Sequence, residues 1–305
     1  LFINVKIQRI KNMKRLNTVN KVPDAILTSD WHLREDTPIC RIDDFEQAQW
    51  NKVKFVSQLQ KQYNCPVLHA GDLFHHWKPS PFLLTKTIEY LPAEFYTVLG
   101  QHDIPQHNLE LKYKSGVYTL YKAGKLTILS YCHFGEEPSK DSLSFVITGK
   151  KILVWHHLTY QIKPFPDAKY GMATGILMKY KDYDLILTGD NHIPFVEKYE
   201  NRILVNPGSL TRQTAAQISH KPRVYLWYAE TNSVEPVFLP IEEDVISKEH
   251  LEESEKRDER IMAFVSRLNT NWNIELSFED NLESLFTSNN VNPKIKSIIY
   301  KILQP

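Results

Sequence analysis

Repeatedly along this chain, a short apolar run ends abruptly in carboxylate, amide or imidazole side chains. Ala25-Ile26-Leu27-Thr28 gives way to Ser29-Asp30-Trp31-His32, and Val67-Leu68-His69-Ala70 to Gly71-Asp72-Leu73-Phe74-His75. Tyr96-Thr97-Val98-Leu99 leads into Gly100-Gln101-His102-Asp103, Ile152-Leu153-Val154-Trp155 into His156-His157, and Leu185-Ile186-Leu187-Thr188 into Gly189-Asp190-Asn191-His192. Such runs read as buried strands. In layered α/β proteins, ligands gather outside the carboxyl ends of the strands. A lone Asp-x-His could cap a helix, a lone His-His could pack in a core, and Gly-Asp is a common turn. Taken in series, each directly after a strand, these groups converge on one small volume.

The remaining pattern supplies the layers. Phe45, Ala48, Val53, Val56 and Leu59 recur at helical spacing and predict an amphipathic helix over 44–63, with a second helix over 81–91. Further strands are expected at 95–99, 126–130, 203–205, 224–228 and 234–239. Strands interleaved with helices early and in succession late predict an α/β fold, a layered αββα sandwich rather than one doubly wound sheet. Near Pro240 the character changes. Residues 247–268 are charged and helical, 278–286 also read as helix, and Ile295, Ile298, Ile299, Ile302 and Leu303 form one apolar stripe. The expected organisation is a basic N-terminal arm over 1–23, a main domain over 24–240 and a smaller, mostly helical segment over 241–305. The stripe either docks on a partner, belongs to a cap over the substrate, or packs on the core.

Composition narrows the class. A chain of 305 residues supports one large domain, or one large and one small. No apolar run approaches the length of a membrane span. Residues 1–17 alternate apolar and basic positions without an apolar core or small-residue cleavage site, which argues against a secretory signal. Met13 offers a more natural start, leaving the preceding residues as read-through or a flexible arm. Cys40, Cys65 and Cys132 show no paired spacing and read as free thiols in a reducing compartment, by default the cytoplasm. The net charge of +1 argues against a chain that grips nucleic acid alone through many phosphate contacts. Lys6, Arg9, Lys11, Lys14 and Arg15 nevertheless make the N-terminus basic, and Glu242, Glu243, Asp244, Glu249, Glu252 and Glu253 make the start of the C-terminal segment acidic. Either cluster could equally be a solvated face.

Carboxylates, imidazoles and an amide oxygen, with no cysteine among them, suit divalent ions of hard to borderline character. Crowded acids repel one another, and two divalent ions remove that repulsion. The series Asp30-Trp31-His32, Gly71-Asp72-Leu73-Phe74-His75-His76-Trp77-Lys78-Pro79-Ser80-Pro81, Gly100-Gln101-His102-Asp103, His156-His157 and Gly189-Asp190-Asn191-His192 resembles the calcineurin-like binuclear metallophosphoesterases. Asn206-Pro207-Gly208-Ser209 resembles that family's customary turn, and the likeness spans about residues 25–239. Residues 71–81 are similar in particular to the SbcD-type nuclease subunit of the DNA double-strand-break repair complex.

The resemblance implies that Asp30, His32 and His192 hold one metal, that Asp72 bridges, and that Gln101, His156 and Asp190 complete the second. His156 is preferred over His157 as the first residue leaving its strand. His102 is implied as the catalytic histidine with Asp103 orienting its ring, and His75 as an assistant at the phosphate, unless His75 is simply a surface residue. Two positions depart from the family pattern. Gln101 stands where Asn is usual, and Asp190-Asn191-His192 replaces His-x-His. Gln101 keeps the amide oxygen but adds a methylene, so the backbone or the ion must shift slightly. A charged oxygen in place of a neutral nitrogen makes the second site harder, and manganese or magnesium is expected there over zinc. The alternative is a weak second site filled only with substrate present.

A bridged metal pair lowers the pKa of a shared water and clamps the attacked phosphate. The resemblance therefore implies a phosphodiesterase acting on DNA, an exo- or endonuclease in repair, recombination or replication. His76, Trp77 and Lys78 offer an aromatic ring and a cation for a stacked base and a phosphate, or else Trp77 is a packed residue. The nuclease branch implies an SMC-like ATPase partner of the SbcC type and a homodimer. A small-substrate phosphatase or cyclic-nucleotide phosphodiesterase would share every ligand, and a non-catalytic scaffold of the same fold would explain Gln101 and Asp190.

Overall fold

The computed structural model describes residues 21–139, 142, 145–163, 171–269 and 278–303. Most of the expected basic arm, with Lys6, Arg9, Lys11, Lys14 and Arg15, lies outside the described residues. In chain order come β1 (Ala25–Thr28), α1 (Phe45–Tyr63), β2 (Val67–His69), α2 (Pro81–Tyr90), β3 (Phe95–Thr97), α3 (Gly116–Lys122), β4 (Thr127–Ile128), β5 (Phe145–Ile147) and β6 (Lys150–Trp155). Then follow α4 (Ala173–Lys179), β7 (Leu185–Thr188), β8 (Phe195–Tyr199), β9 (Arg202–Asn206), β10 (Arg223–Tyr228) and β11 (Ser233–Phe238). Three helices close the chain: α5 (Glu249–Asn269), α6 (Phe278–Ser288) and α7 (Pro293–Leu303).

The helix ends are set by local chemistry. The Asp44 carboxylate accepts from the Gln47 amide at 2.9 Å and starts α1, and Asn64 in the left-handed region stops it. Ser80 caps α2, with Pro81 in the first turn where its missing N–H costs nothing. The strands form two sheets, ordered β11-β10-β1-β2-β3-β4 and β5-β6-β7-β9-β8. In the first, β1 to β4 run parallel, and in the second β6, β7 and β9 do.

Alternation along each strand divides the core. Ala25, Leu27 and Leu68 of the first sheet pack with Ile152, Val154, Leu185, Leu187, Ile203 and Val205 of the second. Ile26 and Val67 turn the other way, onto Trp50, Val53 and Val56 of α1 and Leu83 of α2. On the far side, Leu153, Ile186 and Leu204 meet Ala173, Ile176 and Leu177 of α4. The expected αββα sandwich is the architecture formed. Strands buried on both faces read as unbroken apolar runs. The two strands not anticipated, β5 and β8, are sheet edges with mostly half-exposed residues, so no such run marks them.

The chain divides into two compact units at Ile246 and Ser247. Residues 241–246, expected in the C-terminal segment, belong to the first unit: Val245 and Ile246 pack with Cys40 and Ala215, and Ile246 bridges Arg41. Within the second unit, the rings of Phe286 and Tyr300 meet edge to face at 5.8 Å, and the Tyr300 hydroxyl donates to Glu283 at 2.7 Å. Ile295 and Ile298 of the apolar stripe are exposed. The side chains of Ile302 and Leu303 lie outside the described residues. Among the described residues, no helix is long and apolar enough to cross a membrane.

Candidate metal centre

The parallel strands of both sheets bring their carboxyl ends to one place, and the loops that follow are laced together by backbone. Beyond β1 and β2 the chain stays paired, with the amides of Asp30, His32 and Leu33 donating to the carbonyls of Gly71, Asp72 and Leu73. That pairing sets Asp30 and His32 beside Asp72. Asp30, His32, Asp72 and Asp190 all sit at positive φ, between 44° and 72°. Such backbone costs roughly 1–3 kcal/mol per residue and persists where surroundings over-determine it. Gly71 and Gly100 make the approach possible. A Cβ on Gly71 would run into the His156 ring, and one on Gly100 into the Asp72 carboxylate.

The resulting cluster is dense. Asp72 Oδ2 lies 3.6 Å from both His32 Nε2 and His156 Nε2. His32 Nε2 and His192 Nε2 stand 3.0 Å apart. Gln101 bridges the far side, its Oε1 2.6 Å from His156 Nε2 and its Nε2 donating to Asp190 Oδ1 at 2.7 Å. Asp30, His32 and His192 group closely enough to share one ion, as do Asp30, Asp72 and His156. His156 Nδ1 faces the Ala70 carbonyl at 2.6 Å, so this nitrogen carries the ring's hydrogen. Its Nε2 and the amide oxygen of Gln101 thus face the same space, where both could turn to one divalent cation.

Electrostatics point the same way. Burial pushes the Asp30 carboxyl up to about 7, and burial with the Asp103 and Asp30 charges raises Asp72. Burial and the neighbouring imidazoles hold His32 well below its ordinary value, and burial lowers His192. Among the described residues, Asp30 Oδ2, Asp72 Oδ2 and His32 Nδ1 are buried with no hydrogen-bond partner. Unpaired buried carboxylate oxygens are costly, and divalent cations would satisfy them. The donor set fits a pair of such ions.

Asp103 departs from expectation. Its carboxylate does not orient the His102 ring. It accepts instead from the backbone amides of Asp72, Leu73, Phe74 and Gly100, at 2.8 to 3.3 Å, and so fastens the loop after β2 to the loop after β3. The His102 ring is held by the His75 carbonyl, 2.8 Å from its Nδ1, while its amide donates to Asp72 Oδ1 at 2.9 Å. The physical reason is local: several converging N–H groups outcompete a single ring for a buried carboxylate. His75 stacks near the His102 ring, with centroids 5.5 Å apart, and burial followed by the Arg34 charge lowers it to about 4.

His157 turns away from the cluster and stacks on Trp155, ring centroids 3.9 Å apart. His76 and Lys78 are exposed and Trp77 half-buried at the rim. With His75 they line two neighbouring clefts, of about 340 Å³ beside Arg34 and about 190 Å³ beside Gln101 and His102. Two further residues brace the site. Asn206 donates to the carbonyls of Asn191 and Ile193 and so braces the loop carrying His192. Gln213 donates to the His32 carbonyl at 3.1 Å. The Asn206-Pro207-Gly208-Ser209 turn pointed to the first of these, and nothing in the sequence pointed to the second.

Comparison with known proteins adds to this geometry. The DNA double-strand break repair protein Mre11 of Haloferax volcanii is 26% identical over 175 residues, 52% of this chain and 38% of that relative, so the chain spans well under half of its length. Among solved structures, an archaeal phosphodiesterase is 17% identical, with 70% of this chain and 99% of that chain covered and a TM-score of 0.42. Vacuolar protein sorting 29 of Cryptosporidium parvum is 15% identical, with 70% and 95% covered and a TM-score of 0.36. Residues 25–226, most of the first unit and every strand-end motif described above, match the calcineurin-like phosphoesterase superfamily domain, and the chain belongs to that superfamily.

Proposed function

We propose that this metallophosphoesterase cleaves phosphodiester bonds in DNA, as an exo- or endonuclease working in repair, recombination or replication. The observation that carries the reading is the juxtaposition of the buried donor cluster with an open rim bearing His75, His76, Trp77 and Lys78, beside an Arg34 that is paired with Asp36. A lysine and a half-exposed indole suit a phosphate backbone and a stacked base. The relative from Haloferax volcanii, named for DNA double-strand break repair, supports the same substrate.

Asp30, His32 and His192 are proposed to hold one ion, Asp72 to bridge, and Gln101, His156 and Asp190 to complete the second. Carboxylate and amide oxygens on that second side favour manganese or magnesium. When bound, such a pair activates water and neutralises phosphate charge. His102, fixed through Nδ1 by the His75 carbonyl, presents Nε2 to the leaving oxygen and delivers its proton. Asp103 acts as a positioning residue that holds Asp72 and His102 in register. His75 faces the attacked phosphate as a hydrogen-bonding partner. His76, Trp77 and Lys78 bind the strand.

The near-neutral charge of +1 suits a subunit that draws DNA affinity from a partner, for which an SMC-like ATPase and a second copy of this chain are proposed. Three free, buried cysteines fit a reducing compartment, and we place the protein in the cytoplasm. The test is manganese-dependent hydrolysis of linear duplex DNA, compared with closed circular DNA, cyclic nucleotides and p-nitrophenyl phosphate esters. Cleavage of duplex DNA that Asp72→Asn abolishes is expected. Turnover of the small esters with no cleavage of any DNA would overturn the substrate assignment.

A further inference from the structure

Away from the acidic cluster, the loops around α1 hold a second concentration of buried charge, of opposite sign. Arg41 precedes α1, Lys52 lies on it, and Arg212 follows β9. Their relative exposures are 7%, 4% and 6%. With Asp43, Asn51 and Glu242 they line a small cavity of about 80 Å³. Asp43 is committed to Arg41, which it meets through both carboxylate oxygens. Arg41 also donates to the Arg212 carbonyl at 2.9 Å.

The other two cations find only backbone. Arg212 donates to the carbonyls of Ile218 and Glu242, and Lys52 to that of Ala48 at 3.2 Å. Among the described residues, neither forms an ion pair. Glu242 is exposed at the cavity rim. The cavity therefore holds an excess of buried positive charge over the single paired carboxylate. Buried charge without a counter-charge is costly. Lys52 shows the strain: burial, then the charges of Arg41 and Arg212, bring its ammonium down to about 8. A guanidinium has no such escape, because it stays protonated.

We infer that this cavity is an oxyanion site, in which the unused N–H groups of Lys52 and Arg212 hold a phosphate group. Lys52 has three donors and Arg212 five, and the contacts above leave several of them free on each. The cavity, of about 80 Å³, has room for more than one water and so for one tetrahedral ion. The phosphate comes either from free inorganic phosphate or from a nucleic-acid backbone. The inference does not depend on the function proposed above, because none of these side chains belongs to the acidic cluster.

The test is thermal unfolding of the full chain across a phosphate series at constant ionic strength, with excess chelator in one arm and saturating manganese in the other. Wild type should gain several degrees, rising with the logarithm of phosphate concentration, in both arms. Lys52→Met should weaken phosphate binding by about tenfold or more, the usual loss for a hydrogen bond to a charged group. Its manganese-dependent shift should stay unchanged, which shows that the variant is folded. Arg212→Lys keeps the charge but loses the fork, and should fall between the two. A wild type that does not respond to phosphate, or a Lys52→Met chain that responds as wild type does, overturns the site. In a further arm, a short duplex that displaces phosphate from wild type assigns the site to a backbone phosphate. Phosphate binding unaffected by the duplex assigns it to the free ion.

Discussion

Asp72 places one buried oxygen between two imidazoles, and among the described residues it has no hydrogen-bond donor. In the absence of ions this carboxylate is a liability, so Asp72→Asn should raise the unfolding midpoint of chelator-treated protein while cancelling the further rise that manganese gives wild type. A thermal melt with and without metal checks both halves, and a variant that still responds to manganese would remove Asp72 from the ligand set. His102 is a different case, since its ring is fixed by a carbonyl and its loss leaves the carboxylates in place. We expect His102→Ala to lower turnover of a chromogenic phosphodiester by roughly 10²- to 10⁴-fold, the usual range for a general acid. Bound metal, measured by elemental analysis, should stay at the wild-type level. Loss of metal as well would make His102 a ligand. The residues in these predictions were legible because each directly follows an apolar run. Asp103 was misread for the opposite reason: its partners are the amides of Asp72, Leu73, Phe74 and Gly100, and no side-chain pattern announces backbone donors.

Between residue and fold, the loop after β3 and the helix α1 show how little slack the elements leave. Gly100 lies so close to Asp72 that a methyl group would overlap its carboxylate and amide. Gly100→Ala should therefore displace Asp72 and weaken manganese binding by about tenfold or more, on the scale of 1.4 kcal/mol per decade. Calorimetric titration reads this directly, and unchanged affinity would show that the loop moves freely. On α1, the Lys52 ammonium is about 8 in the folded protein against 10.5 for the ordinary group. Between those values the unfolded chain holds a proton that the folded chain lacks, so stability rises with pH across the window, and below about 8 the cost of the buried charge is fully present. Arg41, Arg212, Asp43 and Glu242 face this ammonium. Urea midpoints taken through that window in phosphate-free buffer should climb in wild type and lose this component in Lys52→Met. The helix itself was plain from its apolar spacing. Its buried lysine was not, because a lysine on an amphipathic helix reads as solvated until the loops that cover it are known.

At the scale of the molecule, the layers followed from alternating strands and helices, whereas the order of strands within each sheet did not, since pairing partners lie far apart in sequence. The end of the first unit was harder still. Pro240 marks a change in composition, yet the structure carries the first unit on to Ile246, because Val245 and Ile246 cover Cys40 and Ala215 and the Glu242 carbonyl accepts from Arg212. Two truncations separate these readings. A chain ending at Ile246 keeps every apolar cluster of the first unit and should melt close to the full-length midpoint for that unit, with manganese binding intact. A chain ending at Pro240 loses two buried side chains, each contributing roughly 1.5–3 kcal/mol, and leaves Arg212 without one of its acceptors. It should unfold several degrees lower, or fail to accumulate as folded protein. Circular dichroism melts of both fragments decide the matter: equal midpoints would mean that residues 241–246 add nothing to the first unit, and that the compositional break at Pro240 is the structural one.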